Sequence, residues 1–114
     1  MEIQVDRTSV CMGDDVLPHN MEFNVSDAMT VQDFFEFLEK ERYLPSIQGN
    51  DVAWELRYGG REIAVYFTKD RHLTNSSQLL KNVIEEKNGK NLFILLYHYT
   101  PEVYLERKEQ REGL

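Results

Sequence analysis

The order of the apolar segments constrains this chain most. Two short alternating runs come first, Ile3 and Val5, then Met21, Phe23 and Val25. In each, apolar residues two apart share one face, the pattern of a half-buried strand. A helical pattern follows from Thr30, where Val31, Phe34, Phe35 and Leu38 fall at i, i+3, i+4 and i+7. Then come two further alternating runs, Val52 to Tyr58 and Ile63 to Phe67, separated by Gly59-Gly60, which can supply the two positive-φ residues of a tight hairpin. Leu79, Leu80, Val83 and Ile84 form a second helical stripe, and Leu92 to Tyr99 is apolar on both faces. The expected order is therefore ββαββαβ.

Local chemistry supports the boundaries. The Thr30 hydroxyl can accept an orphan amide of the first helical turn, and Asp33 places negative charge where the helix dipole favours it. Pro45 forces that helix to end nearby, because the residue before a proline is pushed out of the helical region. Asn75, Ser76 or Ser77 can cap the second helix, with Gly89 closing it. A strand apolar on both sides, as Leu92–Tyr99 is, belongs in the middle of a sheet. Residues 8–20, with turn signals at Gly13-Asp14-Asp15 and Pro18-His19-Asn20, read as a long first hairpin loop. The chain divides into a domain over 1–100 and a charged segment over 101–114, either a short helix begun by Pro101 or a frayed tail.

At 114 residues, 41% hydrophobic and 29% charged, the chain suits one soluble domain with a real core. Its net charge of −7 repels phosphate backbones and anionic membranes and attracts a basic protein. Cys11 is the single cysteine, so no intramolecular disulfide forms, and the opening residues lack a signal-peptide pattern. The longest apolar run, Leu92–Tyr97, is too short to span a bilayer. The expectation is a cytoplasmic monomer or weak dimer. The sequons at Asn24 and Asn75 are read as chance.

The opening Met1-x-Ile3-x-Val5 alternation, the helix start Thr30-Val31 and the two-sided strand Leu92–Leu96 together resemble the ubiquitin-like β-grasp family. The resemblance covers about residues 1–99 as a pattern of elements. It implies an α+β fold, with a mixed four- or five-stranded sheet packed on one main helix, a second shorter helix, and a last strand lying parallel to the first. Modifiers of that family end in Gly-Gly, whereas this chain ends Arg111-Glu112-Gly113-Leu114, so conjugation is not expected. The iron–sulfur members need several cysteines, and Cys11 is alone.

No catalytic, cofactor or metal constellation emerges. Cys11 and His19 could pair across the first loop, but no third orienting group is evident, and a lone thiol is more often structural. His19, His72 and His98 lack ligand spacing, and His98 at a strand end reads as a satisfied or exposed imidazole. Asp14-Asp15 lacks the further oxygen ligands of a calcium loop. Gly59-Gly60 lies between strands, so it is no phosphate cradle. The group that stands out is aromatic. Phe93, Leu95, Tyr97 and Tyr99 share one face of the last strand, and Tyr66 can join them. If Leu92, Ile94 and Leu96 face the helix, those five residues form an open, tyrosine-rich sheet face suited to a protein partner; the reverse orientation, or a tail folded back over the face, would hide them. The reading is a small non-enzymatic protein-interaction module, with an acidic immunity-type inhibitor of a basic enzyme as the alternative.

Overall fold

The computed structural model describes residues 1–8, 20–41, 43–44, 51–84 and 91–112. The loop carrying Cys11, Asp14, Asp15 and His19, the helix stop at Pro45 and the Asn88-Gly89 turn lie outside these residues. The fold is α+β. Six strands, β1 (Glu2–Arg7), β2 (Met21–Asn24), β3 (Ala53–Tyr58), β4 (Arg61–Phe67), β5 (His72–Leu73) and β6 (Asn91–His98), form one mixed sheet in the order β2-β1-β6-β3-β4-β5. Among the described residues two α-helices, α1 (Val31–Lys40) and α2 (Pro101–Glu112), accompany it.

β6 lies in the interior of the sheet, parallel to β1 and antiparallel to β3. Its two-sided apolar sequence led to that expectation. The sheet has six strands instead of four or five, because Leu73 and His72 turn back to pair with Tyr66 and Phe67 at the edge. A two-residue strand in a polar connection carries no periodic signal.

α1 forms as its sequence dictates. The Thr30 hydroxyl accepts the Asp33 N–H at 3.1 Å, and the Thr30 N–H donates to Asp33 Oδ2 at 3.2 Å, a complete capping box. Val31, Phe34, Phe35 and Leu38 are all buried. The remaining amides of the first turn donate outside the helix, Val31 to Gln78 O (2.8 Å) and Gln32 to Ser76 O (3.0 Å). Thr30→Ala is expected to cost about 1 kcal/mol, read as a lower urea midpoint with unchanged slope.

Those same bonds explain why the second expected helix does not form within the described residues. The stretch after Asn75 spends backbone groups on α1, and Leu80 N–H donates to Met29 O at 3.0 Å. One 3₁₀ turn, Leu80–Asn82, remains. Its apolar stripe is still used, with Leu80 and Val83 buried in the core. The second helix lies instead at Pro101–Glu112, in the segment expected to be a short helix or a frayed tail.

The main core fills the space between α1 and one sheet face: Ile3 and Val5, Val52, Trp54, Leu56 and Tyr58, and Phe93 and Leu95, under Phe34, Phe35 and Leu38. Arg7, 4% exposed, closes one end, its Nε donating to Tyr43 O at 3.0 Å and its guanidinium lying over the Tyr43 ring. At the β3–β4 hairpin Gly59 and Gly60 have φ of +58° and +78°, as a primed turn requires. Beyond it the register shifts by one residue: Arg57 pairs with Glu62 but Leu56 with Ala64, leaving Ile63 as a bulge. Simple alternation puts Ile63, Val65 and Phe67 on one face. The bulge breaks that, so Ile63 and Ala64 both enter the main core while Val65 packs on the opposite face.

Candidate functional site

The bulge and α1 together decide where the five sequence-predicted binding residues lie. Phe93 and Leu95 are fully buried, and Tyr97 is partly buried against the same core. Tyr66, turned by the bulge, packs its ring 5.6 Å from Phe35. Tyr66 therefore does share a face with Phe93, Leu95 and Tyr97, but that face is the covered one. The physical reason is the shape of the apolar surface. The Phe93 ring of β6 packs on Phe34, and Tyr66 of β4 packs on Phe35, whereas Leu92, Ile94 and Leu96 point away. Burial raises the Tyr66 hydroxyl's pKa above its usual value, and nearby Glu39 adds to the effect. Of the five, Tyr99 alone is exposed, at 59%.

The opposite face is divided. α2 covers its β3–β4 half, where Tyr104 packs with Ala53, Val65 and Phe67. Among the described residues, no helix covers the other half. There Leu92 (36% exposed) and Ile94 (38%) stand in the middle of the sheet, with half-buried Leu96 beside them. β1 and β2 flank this stripe with Glu2, Gln4, Asp6 and Glu22, since Gln4 pairs with Leu92 and Glu22, and Asp6 with Ile94. At the other border a shallow groove runs along α2, lined by Thr8, Leu96, His98, Tyr99, Arg107 and Arg111. The Arg107 guanidinium lies over the Tyr99 ring.

Under α2 lies a second feature that alternation did not foretell. Glu55, between Trp54 and Leu56 on an interior strand, is fully buried. Arg111 grips it with both terminal nitrogens, at 3.1 and 3.2 Å, and Arg57 also donates to it. His98 Nε2 lies 2.9 Å from Glu55 Oε1, and Arg107 Nη1 lies 3.1 Å from His98 Nδ1. A guanidinium only donates, so Nδ1 accepts and the ring proton sits on Nε2, pointing at Glu55. Burial by itself raises the Glu55 pKa, but the hydrogen bonds from His98, Arg111 and Arg57 outweigh it and hold the carboxyl at about 2. Beside this cluster the Tyr104 hydroxyl donates to Glu62 Oε1 at 2.6 Å, and Lys108 Nζ reaches Glu62 Oε2 at 3.3 Å. Burial, reinforced by Glu62, pushes the Tyr104 hydroxyl well above its usual pKa.

The signal for this network was present in part. Arg107 and Arg111 are spaced i, i+4, and His98 ends the strand they fold back onto. What the spacing lacked was the knowledge that residues 101–112 pack on the sheet. Chemically, a carboxylate–imidazole pair can orient a general base. Here both ring nitrogens are engaged within the protein and His98 is 2% exposed, so the imidazole has no nitrogen to lend to a substrate. Among the described residues, no group of three or more His, Cys, Asp or Glu is placed to hold a metal ion. No helix among them is long and apolar enough to cross a membrane.

Compared with protein-family models, curated proteins and solved structures, the chain matches none.

Proposed function

We propose that this chain is a non-enzymatic protein-interaction module of the ubiquitin-like β-grasp type, working in the cytoplasm and binding a protein through the uncovered half of its sheet. The observation that carries the reading is the exposed Leu92–Ile94–Leu96 stripe in the middle of a sheet whose other face is closed by α1. Apolar side chains left open at such a position suit an interface core, and the polar and acidic residues of β1 and β2 suit its rim. The β-grasp assignment is supported by the opening hairpin, the helix across the sheet and the interior last strand parallel to the first.

The test is Ile94→Glu alone and with Leu92→Glu. Both side chains are more than a third exposed, so the fold is expected to survive with a loss of about 1–2 kcal/mol, part of it from Asp6 beside Ile94. Partners captured from the native host and quantified by mass spectrometry are expected to fall roughly tenfold or more with the double variant. An unchanged set of partners, with the fold intact, would remove the stripe from the binding surface.

A second reading is favoured by charge. The net charge of −7, with Glu2 and Asp6 beside the stripe, fits an acidic inhibitor of a basic enzyme. In that case association slows steeply as salt rises; a salt-independent on-rate would argue for an uncharged partner.

A further inference from the structure

α2 is fastened unlike the rest of the fold. The main core contains no α2 residue, so sheet and α1 close on each other without it. α2 buries Tyr104 in a separate small cluster with Ala53, Val65 and Phe67. Among the described residues its further contacts are mostly ionic or polar, Arg111 on Glu55, Arg107 on His98, and Lys108 and Tyr104 on Glu62, with the Tyr104 ring also against His98 and the Arg107 guanidinium over Tyr99. Charges separated from such contacts regain water, so parting them costs less than exposing an apolar interface of the same size. Two residues, Tyr99 and Thr100, link α2 to β6.

We propose that α2 is a detachable internal ligand of this sheet face, and that the face takes in its place a partner's amphipathic helix of the same chemistry: an aromatic residue with guanidinium groups three and seven positions further on. The inference rests on the reading that this sheet face is the binding surface, and it names the partner's chemistry. With α2 lifted, Glu55 keeps its bonds to Arg57 and His98 but loses the two from Arg111, beside an apolar floor of Ala53, Val65 and Phe67. That floor is continuous with the open stripe, because Glu55 pairs with Leu96 and Arg57 with Ile94 on β6. A carboxylate in that setting calls for a bidentate guanidinium. Tyr104, Arg107 and Arg111 of α2 show that one helix face can deliver the ring and both guanidinium groups at once. The chain's acidity favours such a basic face over an acidic one.

Hydrogen exchange on the intact chain tests the latch without reference to any partner. The α2 amides are expected to exchange roughly tenfold or more faster than those of β6, and faster still in about 1 M NaCl. Arg111→Ala is expected to open α2 further while β6 stays protected. The occupant is tested with a capped, fluorescent peptide of residues 100–112. It should bind the Arg111→Ala chain about tenfold tighter than the unaltered chain, whose own helix competes, and lose that binding when Glu55→Gln is added while β6 stays protected from exchange. The latch is overturned if α2 and β6 exchange at one common rate, or if Arg111→Ala leaves α2 exchange unchanged. The occupant is overturned if the peptide fails to bind a chain whose α2 is open and whose β6 is protected. A dimer of Arg111→Ala that excludes the peptide would assign the face to a second copy and overturn the partner helix. None of these results depends on Ile94→Glu, so the latch and the open stripe can fail separately.

Discussion

Replacing Glu55 with alanine is expected to destabilise the fold by about 3–5 kcal/mol, the usual cost of removing one partner from a buried ionic cluster. Arg57, Arg111 and His98 all direct hydrogen bonds at this carboxylate, and the substitution leaves each of them facing a cavity. Domains of this kind are stable by about 5–15 kcal/mol in all, so the loss is a large fraction of the whole. Urea denaturation measures it, and a midpoint unchanged from the unsubstituted chain would refute the assignment. The same carboxylate makes stability depend on acid. Its pKa is lowered from 4.5 to about 2 by folding, so its contribution is complete above 4.5 and disappears as the pH falls towards 2. The loss over that window is about 3 kcal/mol. Replacing Glu55 together with its partners by apolar residues of similar volume is expected to restore much of the stability, because a buried ion pair is worth little against good packing.

The second large effect is expected at Phe93. The ring is fully buried, its centroid 5.8 Å from that of Phe34 and 5.1 Å from that of Tyr58. Phe93→Ala removes those contacts and leaves a cavity between α1 and the sheet, at a cost of about 3–5 kcal/mol. Its neighbour Ile94 is 38% exposed on the other face, so Ile94→Ala is expected to cost well under half as much. Thermal unfolding of the two variants compares adjacent residues on one strand. Equal losses would mean that both faces of β6 are covered, which would remove the proposed binding surface.

That pair of residues also marks where reading the chain reached its limit. Alternation separates Leu92, Ile94 and Leu96 from Phe93, Leu95 and Tyr97, but period two is symmetric and does not say which set meets the helix. The covered set is the one that meets α1, where Phe34 packs on Phe93 from far away in sequence. Tyr66 shows a second limit. Its face depends on a one-residue register shift at Ile63, which inverts every later side chain and has no residue-level signature in Glu62-Ile63-Ala64. The stretch around Leu80 shows a third. Its apolar spacing was that of a helix and its burial agreed, but its backbone had a better use in satisfying the first turn of α1.

By itself, the sequence determined what is local. The capping box at Thr30 and Asp33, the apolar stripe of α1, the Gly59-Gly60 turn and the interior place of β6 all follow from groups within a few residues of each other or from one strand's own composition. Tertiary structure alone decided what depends on distant segments meeting. It chose the covered face of the sheet, brought Arg107 and Arg111 down onto His98 and Glu55, and left Leu92 and Ile94 in the open. The reason is that backbone geometry is set by nearest neighbours, whereas the burial of a face or a charge is set by whatever the rest of the chain brings against it.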